Sequence, residues 1–339
     1  MRILVAGGAG YIGSHTIVEL YKAHNEVVCV DNLYNAKLKS IKNVEKIVSK
    51  KIPFYKVDCC DRKKLENVFK KEKFDAVIMF QGYKAVGESV IKPIEYYRNN
   101  IDSALTIIEL MMKYKIHNIM FSSSATVYGK YAKSPIKETF DALNLNDITN
   151  PYGETKAMIE KILMDKSNAD KNFKSVILRY FNPVGAHESG LIGEDPNGLP
   201  NNLMPYIAKV ATNKLPYLKV YGDDYKTKDG TGVRDYIHVV DLAKGHVAAL
   251  KCFSNKKQNV HVYNLGTGKG TSVLELVKAY EKANNLKVKY KIVGRRYGDV
   301  DKLYCKPDKA NKELKWKATH TIEDMCSSSY KYEKGDISK

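Results

Sequence analysis

The chain of 339 residues lacks the long apolar segments of membrane proteins. It has no run of about 18 or more apolar residues, so no membrane-spanning helix is predicted. No cleavable apolar stretch of the signal-peptide type precedes the first strand-like segment, Arg2-Ile3-Leu4-Val5-Ala6. Internal repeats and low-complexity tracts are missing as well. These absences predict a globular protein of the cytoplasm that does not associate with membranes.

Cysteine is scarce and shows no metal-ligand spacing. The six cysteines include no Cys-x-x-Cys pair, and the adjacent Cys59 and Cys60 do not form one. We therefore expect reduced, mostly packed thiols and no metal site.

Acidic residues are outnumbered by basic ones, and the formal net charge is +18. A net charge of this size is compatible with nucleic-acid binding. However, the lysines are scattered along the whole chain rather than clustered in one arm or stripe. We expect a lysine-rich solvated surface and no nucleic-acid binding. The positive field is also compatible with attraction of an anionic small substrate.

Apolar residues make up 44% of the chain, which is enough for a substantial core. Strand-like and helix-like patterns alternate through the first half. Strands are predicted at 2–6, 26–31, 53–57, 74–80, 118–123 and 174–180, and helices near 11–22, 40–50, 61–71, 99–115 and 151–168. The alternation is typical of an α/β fold with a doubly wound, parallel Rossmann-type sheet.

The pattern changes after residue 181. Stretches rich in Gly, Pro and Asn occupy 185–202 and 222–232, and connections of this length usually carry substrate contacts. A helix near 240–252 and a strand near 260–265 are expected to return to the sheet. We predict a dinucleotide-binding domain at 1–181 with a return segment near 235–265, and a smaller, interleaved C-terminal α/β substrate domain formed mainly by 182–339.

A glycine-rich turn follows the first strand. Gly7, Gly10 and Gly13 stand where a helix must begin close to a bound pyrophosphate, and a side chain there would block the approach. Backbone N–H groups and the positive helix end at Tyr11 and Ile12 favour the diphosphate. A flexible turn of small residues is the alternative, and the flanking strand and helix patterns disfavour it.

Acidic residues end the next two predicted strands. Asp31 is placed to accept hydrogen bonds from the adenosine ribose hydroxyls, and its charge would repel a 2′-phosphate. NAD is therefore favoured over NADP as the cofactor. A turn cap before Asn32 is the alternative role of Asp31. Asp58 is similarly placed to meet the adenine amino group.

Tyr152 and Lys156 are four residues apart and share one face of a predicted helix. An aromatic ring packed on a lysine stem is the ordinary interpretation of such a pair. Their place after the glycine turn and after Ser122-Ser123-Ser124 favours a proton-transfer pair instead. A phenol with a pKa of about 10 needs nearby positive charge to act as a base, and Lys156 supplies it. Ser124 can hydrogen-bond a substrate hydroxyl and relay its proton.

Five blocks of sequence carry a resemblance to a known family. They are 7–15 (GGAGYIGSH), 84–89 (KAVGES), 122–129 (SSSATVYG), 179–187 (RYFNPVGAH) and 232–238 (GVRDYIH). On these blocks the chain resembles the extended short-chain dehydrogenase/reductase family and, within it, the UDP-galactose 4-epimerases. The match runs from residue 1 to about residue 316.

The resemblance implies reversible epimerisation of UDP-galactose and UDP-glucose at hexose C4, in galactose metabolism. Hydride passes from C4 to tightly held NAD while Tyr152 removes the C4 hydroxyl proton. The transient 4-keto sugar turns over before hydride returns to its opposite face. The family also implies a homodimer.

Residue roles follow from the resemblance. The catalytic residues are Ser124, Tyr152 and Lys156. The cofactor-binding residues are Gly7, Gly10, Tyr11, Ile12, Gly13, Asp31, Asn32, Asp58, Phe80, Lys84, Asn99, Tyr152, Lys156 and Tyr180. The substrate-binding residues are Ser124, Thr126, Tyr152, Phe181, Asn182, Asn202, Leu203, Tyr221, Arg234, Arg296, Asp299 and Leu303. Among these, the asparagines Asn182 and Asn202 match diphosphate and sugar contacts, Tyr221 matches the uracil-packing position, and Arg234, Arg296 and Asp299 match diphosphate and ribose contacts.

Three positions depart from the family pattern. Gln81 and Tyr83 replace smaller residues, and we interpret both as adjusting packing near the nicotinamide. Leu303 is intermediate in size between the residues that admit and those that exclude an acetamido group at C2. We expect UDP-galactose and UDP-glucose as the main pair and weak use of UDP-N-acetylhexosamine.

Alternative functions differ in their requirements. A nucleotide-sugar 4,6-dehydratase needs an Asp-Glu pair after the serine or threonine, where this chain has Ala125-Thr126. UDP-N-acetylhexosamine or UDP-glucuronate 4-epimerisation remains as an enzymatic alternative. A redox-sensing scaffold that binds NAD without catalysis is the non-enzymatic one, and the intact Ser124, Tyr152 and Lys156 disfavour it.

Overall fold

The computed structural model describes residues 1–139, 144–296 and 298–336. Its strands are β1 Arg2–Ala6, β2 Glu26–Asp31, β3 Phe54–Lys56, β4 Ala76–Met79, β5 Asn118–Ser124, β6 Lys174–Tyr180, β7 Asn182–Val184, β8 Leu218–Tyr221, β9 Val233–Arg234, β10 Tyr236–His238, β11 Val260–Leu265, β12 Thr271–Ser272, β13 Tyr290–Val293 and β14 Lys302–Leu303. Its α-helices are α1 Tyr11–Lys22, α2 Leu38–Val48, α3 Arg62–Lys71, α4 Val86–Ile91, α5 Pro93–Tyr97, α6 Ser103–Lys113, α7 Pro151–Ala169, α8 Leu203–Ala211, α9 Val239–Ala249, α10 Val273–Asn284, α11 Asp308–Leu314 and α12 Ile322–Lys334. No helix in these ranges is long and apolar enough to cross a bilayer.

A seven-stranded parallel sheet organises the first part of the chain. Its order is β11-β6-β5-β4-β1-β2-β3, so the direction of winding reverses between β1 and β4. Continuous apolar runs such as Ile3–Ala6 of β1 are fully buried, because helices cover both faces of a parallel sheet. The predicted doubly wound α/β fold is confirmed, including the return of β11 to the sheet beside β6.

A smaller lobe follows the sheet and has its own apolar core. Helices α8, α10 and α12 contribute side chains such as Met204, Leu276 and Met325 to it. A capping box between Ser272 and Glu275 fixes the start of α10. Three small sheets, β10-β7, β12-β9-β14 and β13-β8, tie segments of this lobe together. The division into domains at residue 181 stays a prediction.

The segment before β5 is more broken than the sequence pattern indicates. A single helix is predicted near 99–115, but a π-helix at Arg98–Asp102 precedes α6. The short helices α4 and α5 are not anticipated by any periodicity, because Ile91 and Ile94 are exposed rather than aligned on a buried face. The strand predicted at 118–123 extends by one residue to Ser124.

Buried histidines couple folding to pH. Burial lowers the pKa of His15 and His238 to about 3 and that of His246 to about 4. The contacts of His15 show why its ring stays neutral. Its Nδ1 donates to the carbonyl of Tyr11 at 2.7 Å. Its Nε2 is buried with no hydrogen-bond partner among the described residues, so a second proton there would have no acceptor.

We predict that stability falls as the pH drops from about 6.5 towards 4, because only the unfolded chain takes up protons on these histidines. Each such histidine contributes a slope of about 1.4 kcal/mol per pH unit to the free energy of unfolding in this window. Urea unfolding at pH 7 and pH 5 measures the slope. His15→Gln should reduce it by one histidine's share, whereas the exposed His24→Gln should leave it unchanged. An equal slope in the wild type and His15→Gln would contradict the prediction.

Candidate active site

A large cavity opens at the carboxyl ends of the central strands. Its volume is about 1730 Å³, beyond the roughly 300–1000 Å³ of a pocket for one small ligand. The cavity lies across the β1–β4 reversal, where open α/β sheets bind ligands. The predicted site residues that line it are Gly7, Gly10, Tyr11, Ile12, Gly13, Asp31, Asn32, Asp58, Phe80, Lys84, Asn99, Ser124, Thr126, Tyr152, Lys156, Tyr180, Phe181, Asn182, Asn202, Tyr221, Arg234, Arg296, Asp299 and Leu303.

The glycine turn between β1 and α1 has no room for a side chain at Gly7 or Gly13. A Cβ on Gly7 would lie 2.6 Å from the backbone nitrogen of Gln81, and one on Gly13 would lie 2.5 Å from the carbonyl oxygen of Gly7. Gly7 also has a φ of +78°. Gly10 precedes α1 without a side-chain cap, so the first N–H groups of the helix face the cavity. The turn therefore fits a dinucleotide diphosphate.

Acidic side chains lie at the outer end of the same cavity. Asp31, the last residue of β2, accepts hydrogen bonds from the backbone N–H groups of Ala9 at 3.1 Å and Leu33 at 2.8 Å. Burial raises the pKa of Asp31, and these backbone bonds oppose the shift. The amide of Asn32 donates to Asp58 at 2.9 Å. This arrangement holds two carboxylates where ribose and adenine are expected.

The start of α7 positions the catalytic pair. The Asn150 side chain caps the helix by accepting from the N–H of Gly153 at 2.9 Å, and Pro151 occupies the first helical position. Tyr152 therefore lies in the first turn and Lys156 one turn later. The Lys156 ammonium lies 5.8 Å from the centre of the Tyr152 ring.

Electrostatics of the pair follow from burial. Burial lowers the pKa of Lys156 to about 8, and the charge of Glu160 opposes this shift. Burial raises the pKa of Tyr152, and a hydrogen bond with Ser124 opposes it. Ser124 ends β5, where its Oγ also accepts from the Thr126 hydroxyl at 3.0 Å. Tyrosine, lysine and serine thus meet at one wall of the cavity.

Two arginines and a carboxylate also line the cavity. Asp299 accepts from Arg296 Nε at 3.1 Å and lies 3.5 Å from Arg234 Nη2. The Arg296 guanidinium is 4.9 Å from the centre of the Tyr221 ring. The neighbouring Arg295 turns away from the cavity and pairs with Asp224 at 2.6 Å. A flat ring and fixed cations suit a nucleoside diphosphate.

Other predicted substrate residues are placed by short strands. Asn182 begins β7 and Leu303 ends β14, where it pairs with Arg234 of β9. Leu203 is the exception among the predicted residues, because it does not line the cavity. It begins α8, and its side chain packs against the core of the smaller lobe.

Tyr83 lies elsewhere than the sequence interpretation put it. Its ring centre is 4.7 Å from that of Tyr34, in the segment after β2, and 5.4 Å from that of Tyr96. Tyr83 therefore packs near the adenosine end of the cavity rather than the nicotinamide end. Gln81 lies beside Gly7 and lines the cavity.

A strap formed by residues 190–202 also lines the cavity. Within it, Glu194 accepts from Lys84 Nζ at 3.1 Å and from the Asn202 amide at 2.6 Å. Asp195 pairs with Lys37 at 2.5 Å, which ties the strap to the start of α2. Its length and composition predicted substrate contacts at 185–202, but no motif marked Glu194.

The end of α12 was also missed. Tyr332 and Glu333 line the cavity. No cluster of three or more His, Cys, Asp or Glu side chains in the described ranges is arranged to hold a metal ion.

Comparison with known proteins agrees with this geometry. Residues 4–329 match the family model described as GDP-mannose 4,6 dehydratase. The UDP-glucose 4-epimerase of Haemophilus influenzae is 54% identical over 336 residues, covering 99% of this chain and 98% of that protein. The UDP-glucose 4-epimerase of Dictyostelium discoideum is 52% identical over 332 residues, covering 98% and 95%.

A solved structure extends the similarity to the whole fold. The crystal structure of UDP-glucose 4-epimerase from Bifidobacterium longum, in complex with NAD+ and UDP, superimposes with a TM-score of 0.95 at 51% identity and covers 99% of both chains. Sequence, fold and cavity together identify this chain as a member of the UDP-glucose 4-epimerase family.

Proposed function

We propose that the protein catalyses the reversible interconversion of UDP-galactose and UDP-glucose by epimerisation at hexose C4, with NAD as its cofactor. The observation that carries this function is the shared cavity. A dinucleotide turn, a Tyr–Lys–Ser set and a cation-rich site for a nucleoside diphosphate all open into it. The reaction belongs to galactose metabolism.

The residues of this chain handle the proton of the C4 hydroxyl. Ser124 hydrogen-bonds this hydroxyl and relays its proton, while the Tyr152 phenolate is the base that receives it. The ammonium of Lys156 favours the phenolate through its positive charge. When bound, NAD supplies the acceptor and donor of the C4 hydride. In the return step Tyr152 gives the proton back to the oxygen at C4.

Rotation of the 4-keto sugar within the site requires that UDP be bound more tightly than the hexose. Because the nucleotide must stay in place while the hexose rotates, we expect most of the binding energy to come from contacts with UDP. Arg234, Arg296 and Asp299 are proposed to hold diphosphate and ribose, and Tyr221 to stack on uracil. Asn182 and Asn202 are proposed to contact the diphosphate and sugar.

Two positions disfavour the 4,6-dehydratase activity named by the family model. Elimination across C5 and C6 needs an added acid and base after Ser124. Ala125 is apolar and buried, and Thr126 is already hydrogen-bonded to Ser124. Purified protein should convert UDP-galactose to UDP-glucose without net NADH accumulation, whereas a 4-keto-6-deoxy product would support the dehydratase.

Leu303 is proposed to limit the substituent at C2. It lines the cavity beside Arg234, and its side chain is proposed to restrict the space for a C2 substituent. We predict a higher kcat/KM for UDP-galactose than for UDP-N-acetylgalactosamine, and Leu303→Ala should narrow the difference. Equal kcat/KM values for the two substrates in the wild type would contradict the prediction.

The protein is proposed to act as a cytoplasmic homodimer. Leu105 and Met112 are exposed and lie seven residues apart on α6, so they share one helix face that a second copy can cover. All six cysteines are free thiols, which suits a reducing compartment. Light scattering should give twice the 38.3 kDa chain mass, and Leu105→Glu with Met112→Glu should give the single mass.

A further inference from the structure

Glu160 is a buried charge to which neither the sequence motifs nor the proposed mechanism gives a role. It lies on α7 one turn after Lys156, and its side chain is fully shielded from solvent. It does not line the cavity. A charge in such a place is costly unless it is paired and hydrogen-bonded.

The carboxylate is fully engaged by two other elements. Arg179 of β6 donates from Nε to Oε1 at 3.0 Å and from Nη2 to Oε2 at 2.6 Å, which forms a two-pronged pair. Ser123 of β5 donates a short hydrogen bond to Oε1. Arg179 also donates to the Tyr128 hydroxyl at 3.1 Å, so the guanidinium is itself held in place. Glu160 therefore ties α7 to β5 and β6.

Ser123 connects this pair to the catalytic groups. On one side of it, the carbonyl of Ser122 accepts from the Lys156 ammonium at 2.7 Å. On the other side, Ser124 hydrogen-bonds Tyr152. The segment that Glu160 anchors thus contacts both members of the proton-transfer pair, although Glu160 touches neither substrate nor cofactor positions.

We propose that Glu160 is a positioning residue of the epimerase: together with Arg179 and Ser123 it fixes residues 122–124 against α7, and it places a negative charge one helical turn after Lys156. The inference rests on the proposed function and deepens it. A buried ion pair is often no more stabilising than an apolar pair of similar volume, and a positioning role accounts for its presence one helical turn after the catalytic lysine.

Lys156 is surrounded mainly by uncharged groups, so the charge of Glu160 has a large influence on its pKa. Burial lowers the pKa of Lys156 to about 8, and Glu160 is the charged group that raises it. On the β5 side Lys156 meets the Phe121 ring at 4.8 Å and the Ser122 carbonyl, neither of which is charged. Other titratable or charged groups lie on α7 and on the elements packed against it. They include Tyr152, Glu154, Lys161, Asp165 and Lys166 on α7, Lys174, Arg179 and Tyr180 on β6, Tyr128 after β5, Arg98 and Asp102 of the π-helix, Glu95, Tyr96 and Tyr97 on α5, and Glu88 on α4. Tyr97 is hydrogen-bonded to Glu154, and Glu88 pairs with Lys92 and Tyr96. Without Glu160, the buried Arg179 guanidinium would lose the carboxylate that accepts two of its hydrogen bonds.

Glu160→Gln tests the charge, because glutamine preserves the shape and one acceptor oxygen. The alkaline limb of the kcat–pH profile should move to lower pH by about one unit, and kcat at pH 8 should fall about fivefold. KM for UDP-galactose and the amount of bound NAD should stay within about twofold, because no binding group is altered. Asp165→Asn, which removes an exposed charge from the same helix, should leave the profile unchanged.

An alkaline limb of Glu160→Gln at the wild-type pH, in folded protein that retains NAD, would overturn the proposal. If Glu160→Gln does not fold, the proposal is tested with Ser123→Ala. This variant removes the hydrogen bond between Ser123 and Glu160 but keeps the negative charge of Glu160. A fall in kcat of about threefold or more with unchanged KM supports the positioning role, and an unchanged kcat overturns it. Wild-type turnover of UDP-galactose is measured alongside, and its absence would contradict the proposed function instead.

Discussion

Tyr152→Phe is expected to lower kcat by about 10²- to 10⁴-fold, because it removes the hydroxyl that exchanges the C4 proton. The ring and its place in the first turn of α7 are retained, so the cavity keeps its shape. KM for UDP-galactose and the content of bound NAD should therefore change little. Steady-state kinetics and the absorbance of cofactor released from denatured protein measure these quantities.

A matched variant distinguishes the loss of the Tyr152 hydroxyl from the loss of a tyrosine hydroxyl elsewhere in the protein. Tyr131→Phe removes the hydroxyl of an exposed tyrosine outside the cavity and should have wild-type kcat. Near-normal turnover by Tyr152→Phe would refute the role of Tyr152 as the base. Loss of NAD from this variant would mean that the hydroxyl serves binding rather than proton transfer.

Arg296→Ala is expected to raise KM for UDP-galactose roughly 30-fold, because a charge-assisted hydrogen bond to the diphosphate is worth about 2 kcal/mol. Arg296 lines the cavity above Tyr221, and Asp299 fixes its guanidinium. The effect should fall on KM and on inhibition by UDP more than on kcat, because the anchoring group binds the nucleotide and not the reacting carbon.

The adjacent arginine provides the control for this experiment. Arg295 pairs with Asp224, and its guanidinium lies 3.9 Å from the centre of the Tyr225 ring, outside the cavity lining. Arg295→Ala should keep KM within about twofold, because surface pairs of this kind contribute little. Equal KM values for Arg295→Ala and Arg296→Ala would contradict the assignment of Arg296 to the diphosphate.

The NAD half of the cavity could be predicted because its signals are local. The turn at Gly7 lies between one strand and one helix, and Asn150-Pro151 marks the start of the helix that carries Tyr152. Each signal depends on a few consecutive residues whose conformation is set by steric and capping effects. For the same reason the main strands and helices of the sheet, except α6, were predicted to within about two residues at each end.

Contacts between distant segments could not be predicted in this way. Glu194 meets Lys84 across 110 residues of sequence, and Glu160 meets Arg179 only because α7 packs against β6. The helices α4 and α5 are shorter than an isolated helix needs to be stable, so tertiary packing rather than sequence pattern determines them. Tyr83 was placed at the wrong end of the cavity because its neighbour Tyr34 comes from another loop.

The fate of the hydrogen at C4 tests the proposed reaction most directly. UDP-galactose carrying deuterium at C4 is incubated with the purified protein, and the UDP-glucose formed is analysed by NMR and mass spectrometry. Return of the same hydride to the opposite face predicts that the product keeps its deuterium at C4, with none exchanged with water or with added NAD. Loss of deuterium from C4, or incorporation of solvent hydrogen at the sugar carbons, would contradict epimerisation through a transient 4-keto sugar held in this cavity.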